Sequence, residues 1–294
     1  MNKEQIKSFL SNNPGYLKWG KKKLASKFNA STKLVVQVKR ELLNAPERKF
    51  KRLFFDIETC PNIGLFWEAG YKLNVGPQNI ITERRVICVS YKWEDENVVY
   101  NLSWDNNKCD KYLLEEFSKI MSEADEVISH NGDRFDIPWL RGRCLYHRIP
   151  FPTYVKSLDT YLKSKAQFRL NSFKLDYIAK FLGVGGKIED GGWESWVKIT
   201  LHNDQEALDQ MIKYCNNDVI ILEDVFKELL NYIKVNTHVG VFNGLSKCSC
   251  PTCGSDNTSY LKPWITDRGT IQRIMKCNSC GVDFKISNTA FIKK

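Results

Sequence analysis

Apolar positions recur along the chain at two periods, and the switch between them predicts its elements. Over residues 3–43 the spacing is helical. A first helix contains Ile6, Phe9 and Leu10 and ends at Asn13-Pro14-Gly15, and a second spans 21–28. A third runs from Thr32 to Leu43 behind Ser31 as N-cap, with Leu34, Val35, Val38 and Leu42 on one side and Lys33, Lys39 and Arg40 outward. Strand-like runs then appear at 53–59, 85–93 and 98–102, the last two joined as a hairpin by Glu94-Asp95-Glu96-Asn97. A helix at 112–121, a strand at 126–130 and a helix at 137–147 follow. Residues 171–235 are mostly helical, in three pieces at 173–182, 204–215 and 218–233. Between the first two lies Gly183-Val184-Gly185-Gly186-Lys187-Ile188-Glu189-Asp190-Gly191-Gly192-Trp193, a surface loop or a lid over a substrate. Antiparallel strands followed by strands alternating with helices define an α/β chain with a mixed sheet covered by helices.

Length and charge divide this pattern into parts. With 294 residues and 43% hydrophobic content, the chain can bury a sizeable core and more than one domain. No run approaches the ~20 apolar residues of a membrane helix, and Met1 to Gln5 lacks the apolar core of a signal peptide. A soluble, intracellular, cytoplasmic protein without a membrane partner is expected. The net charge of +10 is uneven: residues 1–52 hold 14 Lys and Arg against 3 Asp and Glu, residues 53–244 hold 22 against 28, and residues 245–294 hold 8 against 3. Basic ends around an acidic middle suggest nucleic-acid grips flanking a metal-binding body. The boundaries fall at 1–47, 48–240 and 245–294, with the proline and charges of 44–49 as linker. The first part, two helices about a short turn with Lys33, Lys39 and Arg40 exposed, resembles a helix-turn-helix DNA-binding module.

The candidate chemistry is carboxylate-based. Asp56 and Glu58 stand two residues apart in a strand and so share a face. Two acids side by side raise each other's pKa unless a cation neutralises them, which points to a hard divalent ion, Mg²⁺ or Mn²⁺. Asp136 opens a helix five residues after Asn131, and Tyr214 and Asp218 lie four apart on one face if their helix is continuous. A capping aspartate is the ordinary alternative at each later position taken alone.

Together, Phe55-Asp56-Ile57-Glu58-Thr59, Asn131-x-x-x-Phe135-Asp136 and Tyr214-x-x-x-Asp218 resemble the three exonuclease motifs of the DEDDy group of the ribonuclease H-like superfamily. Within it they are similar to the proofreading domains of family-B DNA polymerases. The resemblance spans about residues 52–235 and implies a stand-alone metal-dependent 3′→5′ exonuclease acting on DNA, at single-stranded 3′ ends. It implies that Asp56, Glu58, Asp136 and Asp218 hold two Mg²⁺ or Mn²⁺ ions, one activating water and the other stabilising the leaving 3′ oxygen. Tyr214 would position the attacking water, with Asn131 in support. Asp159 is a helix cap or a supporting residue. A catalytically silent nucleic-acid-binding protein of the same fold and an RNA-processing or structure-specific nuclease remain open. The residues do not separate DNA from RNA, and the oligomeric state stays unknown.

Ten cysteines divide into five scattered ones and five within 248–280. Cys250-x-x-Cys253-Gly254 and Cys277-x-x-Cys280-Gly281 have the spacing of a tetrahedral site for one structural Zn²⁺ and resemble a zinc ribbon. Cys248 could replace Cys250. Lys262, Arg273, Lys276 and Lys285, with Tyr260, Trp264 and Phe284, would give that ribbon a basic and aromatic surface, suited to nucleic acid or serving only to staple a small domain.

Overall fold

The computed structural model describes residues 1–42, 49–68, 70, 75–94, 96–188 and 191–292, except the side chains of Pro14 and Arg40. The linker at 44–48, the helix end at Leu43, the turn residue Asp95, the loop acids Glu189 and Asp190, and the side chain of Arg40 therefore lie outside the described residues. The chain divides into two compact units, Met1–Lys49 and Phe50–Lys294.

The first unit contains α1 (Lys3–Asn12), α2 (Lys21–Phe28) and α3 (Thr32–Leu42). Asn2 and Gln5 close a reciprocal capping box on α1, each side chain bonding the other's backbone N–H at 2.9 and 3.0 Å. Asn29 turns out of α2 in the left-handed conformation, and Ser31 caps α3 through Leu34 N–H at 3.1 Å. The apolar positions of all three helices meet: Ile6, Leu10, Leu24, Val35 and Val38 are fully buried.

The second unit is built on β1 (Arg52–Thr59). After the short β2 (Ile63–Gly64) and β3 (Ile80–Thr82) come β4 (Val86–Trp93), β5 (Tyr100–Ser103), α4 (Lys111–Glu123), β6 (Glu126–Ser129), α5 (Asp136–His147) and β7 (Lys156–Asp159). The sheet runs β5-β4-β1-β6-β7, with β1 antiparallel to β4 and parallel to β6. Alternation along β1 decides what lies on each face. Leu53, Phe55 and Ile57 enter the core beneath α4 and α5, while Phe54 enters the core on the opposite face. Asp56 and Glu58 continue the register of Phe54, so the strand turns from apolar to acidic on one face as it leaves the core.

That face is covered by α6 (Thr160–Gln167), α7 (Leu175–Leu182), α8 (Gly192–His202) and α9 (Gln205–Leu229). Two helices expected at 204–215 and 218–233 are one continuous α9. Asn216 and Asn217 disfavour a helix interior, but each side chain finds a tertiary partner. Ser90 Oγ donates to Asn216 Oδ1 at 2.7 Å, and Asn217 donates to Gly186 O at 3.3 Å. β7, α6 and α8 were not legible in the pattern; β7 is a four-residue strand whose buried positions include Asp159.

After α10 (Val239–Phe242), the strands β8 (Thr258–Ile265), β9 (Ile271–Cys277) and β10 (Asp283–Ser287) form an antiparallel sheet closed by α11 (Asn288–Ile292). This ribbon is joined to the larger sheet within the same unit. Arg52, 2% exposed, bonds Glu126 at 3.0 Å, Glu94 at 2.7 Å and the Thr252 carbonyl at 3.3 Å. Phe50 N–H donates to Asn243 Oδ1 at 2.9 Å.

Candidate active site and metal centre

Three elements bring the acids together: the end of β1 supplies Asp56 and Glu58, the start of α5 supplies Asp136, and the middle of α9 supplies Tyr214 and Asp218. Asp136 is buried, and its Oδ1 accepts the β1 backbone N–H of Ile57 at 3.1 Å. Asp56, Asn131, Lys174, Lys187, Tyr214 and Asp218 line one cleft of about 480 Å³, together with His130, Tyr161, Leu175 and Asp176. The continuity of α9 puts Tyr214 and Asp218 on the face turned toward β1.

The loop before α5 is shaped to present Asn131 and Asp136. Asn131 takes a left-handed backbone, φ 65°, and its N–H donates to Asp159 Oδ1 at 2.9 Å. Asp133 N–H donates to Asp159 Oδ2 at 3.1 Å, and the same carboxylate caps α6 through Leu162 N–H at 3.1 Å. Asp159 is thus both the helix cap and the clamp of this loop. Gly132 is required here, because a Cβ would lie 2.0 Å from Ser129 Oγ. His130, its pKa lowered by burial, donates from Nε2 to the Phe173 carbonyl at 2.8 Å and meets Thr160 Oγ1 through Nδ1 at 2.8 Å.

Electrostatics sets the character of the cleft. Burial, then the charges of Asp136, Glu58 and Asp218, hold the Asp56 carboxyl well above the usual carboxylate range. Burial pushes Asp136 to about 7, with Asp159 adding to the rise while its backbone hydrogen bonds and Lys187 oppose it. Burial and Asp218 push Tyr214 to about 12, so the phenol keeps its proton at neutral pH.

Lys187 answers this accumulation of negative charge, and the sequence pattern did not single it out. Its ammonium donates to Tyr214 Oη at 2.7 Å and pairs with Asp218 Oδ2. Its own N–H donates to Asp176 Oδ1 at 2.8 Å, fixing the loop on α7. Burial opposes its charge, but Asp218 and Tyr214 raise its pKa above the ordinary lysine value. The available signal was compositional: Lys187 is the one cation in the glycine-rich stretch 183–193.

The donor set fits a divalent cation. It consists of hard carboxylate oxygens that repel one another, those of Asp136 and Asp218 buried and those of Asp56 and Glu58 half-buried, with a lysine ammonium already serving as a positive charge among them. The ammonium pairs with Asp218, and its charge also acts to lower the pKa of Asp56 and Asp136. Among the described residues, the side chains already close enough to hold an ion are Cys250, Cys253, Cys277 and Cys280, with sulfurs within 4.8 Å of one another. Cys250–Cys280 and Cys253–Cys277 are each separated by 3.6 Å. Tetrahedral zinc with bonds of about 2.3 Å requires about 3.8 Å between sulfurs, so these thiols fit it. Backbone N–H groups of Cys280 and Ser279 pull Cys277 down to about 7 against the effect of burial. Cys248 is outside the group: buried, it donates to the Ala290 carbonyl at 3.5 Å.

The helical unit treats its candidate cations unequally. Lys33 is exposed, whereas Lys39 is half-buried and donates to the Trp19 carbonyl at 3.0 Å.

A mixed five-stranded sheet in this order, with acids on its central strand and helices on both faces, is the fold of the ribonuclease H-like nucleases. Residues 53–230 match the RNase_H superfamily, and the chain belongs to it. A similar solved structure is the family B DNA polymerase from the hyperthermophilic archaeon Pyrobaculum calidifontis, at 17% identity and a TM-score of 0.48. The match covers 67% of this chain and 26% of that one, so the chain spans about a quarter of the polymerase. No curated protein matches. No described helix is long and apolar enough to cross a membrane.

Proposed function

We propose that this protein is a metal-dependent 3′→5′ exonuclease that removes nucleotides from single-stranded DNA ends. The observation that carries the proposal is the cleft that Asp56, Tyr214 and Asp218 line, with the charges of Asp136, Glu58 and Asp218 bearing on Asp56. Asp56, Glu58, Asp136 and Asp218 would hold two Mg²⁺ or Mn²⁺ ions. Bound there, the ions would supply charge neutralisation for the phosphodiester and activation of water.

The chain's own groups divide the remaining work. Tyr214 accepts from Lys187, which leaves its phenolic proton free to orient an incoming oxygen. At a pKa of about 12 it serves as a donor rather than a base. Lys174 and Lys187 line the same cleft and offer cations to a phosphate once an ion takes over Asp218. Asn131, held by Asp159, lies beside them as a polar contact for the terminal nucleotide. The ribbon would carry one structural Zn²⁺ on its four cysteines.

The test is the purified chain with Mg²⁺ or Mn²⁺ on 3′- and 5′-labelled single-stranded DNA and RNA. We expect mononucleotides released stepwise from the DNA 3′ end. Internal cuts would replace the exonuclease reading, and a preference for RNA would replace its substrate.

A further inference from the structure

The ribbon's sheet has two unlike faces, and the strand register separates residues that composition alone had grouped. On β9, Arg273, Met275 and Cys277 point one way, while Gln272, Ile274 and Lys276 point the other. Cross-strand partners share a face. Phe284 and Ile286 therefore join Met275 in the small core around the cysteines. Tyr260 falls on that side too, where Arg273 donates to its hydroxyl at 3.2 Å and stacks on Phe291. Three aromatic and basic residues, Phe284, Tyr260 and Arg273, are thus engaged in holding the ribbon together.

The other face carries the exposed Lys262, Trp264, Lys276, Asp283 and Lys285 beside the half-buried Gln272 and Ile274. Lys285 lies beside Ile274, which lies beside Lys262, in one row across the three strands, and Trp264 pairs with Gln272 next to it. Along β10 the alternation is strict: Asp283, Lys285 and Ser287 are exposed, while Phe284 and Ile286 are buried. Trp264 remains 41% exposed, and the Lys285 ammonium sits 3.6 Å above its ring. A groove of about 550 Å³ is lined by Leu261, Lys262, Ile274, Asp283, Lys285 and the edge of Phe284. Asp283 stands opposite Lys276, so those charges offset each other and Lys262 and Lys285 leave the face positive.

We propose that this outer face is a stacking platform for single-stranded nucleic acid, in which Trp264 takes a base and Lys262 and Lys285 take the adjoining phosphates. The indole offers a flat π-face that any base can cover, and the ammonium now resting on it would move to a phosphate when a base arrives. A duplex keeps its bases stacked on each other and would engage only the lysines. The platform is separate from the cleavage chemistry and stands whether or not the cleft acts as proposed.

The experiment uses the full-length, zinc-loaded chain carrying Asp56→Asn, without added Mg²⁺, and fluorescein-labelled dT12, rU12 and a DNA duplex. Anisotropy titrations are run at several salt concentrations. Trp264→Ala should weaken single-strand binding by about 5- to 150-fold, the effect of losing one stacked base, with little change for the duplex. Lys262→Gln and Lys285→Gln should each flatten the slope of log K against log salt by about 0.7 for single strands. The dT12 and rU12 arms show whether DNA or RNA is the better occupant. The proposal is overturned if all three variants retain zinc and bind both single strands within twofold of the parent, or if Trp264→Ala weakens duplex and single strand alike.

Discussion

Asp56 carries two burdens at once: it is half-buried at the floor of the cleft, where desolvation disfavours its charge, and three other acids bear on it. In the ion-free protein its charge costs stability, so Asp56→Asn should leave the fold intact and raise the melting temperature. The same change should reduce nuclease activity by more than about 100-fold, beyond the 10- to 100-fold typical of residues that only orient others. Tyr214→Phe removes a hydroxyl but no proposed ligand and should fall within about 10- to 100-fold. Lys187→Met should tighten Mn²⁺ binding, because the ammonium on Asp218 no longer competes with the ion. Calorimetric Mn²⁺ titration and 3′-label release across these three variants check the series. Near-parental cleavage by Asp56→Asn would remove the assignment of the site. Of these residues, Asp56, Tyr214 and Asp218 were legible because each belongs to a short local motif. Lys187 was not, because its role depends on a loop folding back onto α9.

The ribbon's three strands and two cysteine turns enclose a small core of Cys248, Cys250, Met275, Cys277, Phe284 and Ile286. So small a core should need a metal on its four cysteines, whose binding energy would become folding energy. One zinc per chain is expected. Cys253→Ser and Cys280→Ser should each lose it, while Cys248→Ser should keep it, since Cys248 is occupied with the Ala290 carbonyl. Metal analysis of the three purified variants settles the ligand set, and zinc retained in Cys253→Ser would refute it. Chelation should open the region around 248–285 and leave the sheet, which has its own apolar layers, folded. The paired C-x-x-C spacing made this element readable from sequence. Which of Cys248 and Cys250 joins it depended on the path of the chain between α10 and β8.

At the scale of the molecule, basic residues concentrate in the first 52 positions. Removing residues 1–47 should leave cleavage of short oligonucleotides intact while weakening DNA binding and flattening its salt dependence. Each phosphate contact contributes about −0.9 to the slope of log K against log salt on duplex DNA. Lys39 is already committed to Trp19, so the loss should come from exposed lysines such as Lys33. An unchanged slope would assign this unit to a protein partner instead. The sequence by itself determined the mixed α/β class, the acids of β1 and the cysteine pairs, because a strand's period and a motif's spacing are local. Only the tertiary structure decided that α9 runs unbroken through two asparagines, that Asp159 clamps the loop ahead of α5, and that a lysine lies among the acids. It also divided the ribbon's aromatic residues between core and surface. In each case the deciding contact joins residues distant in sequence, and its energy outweighs the local preference.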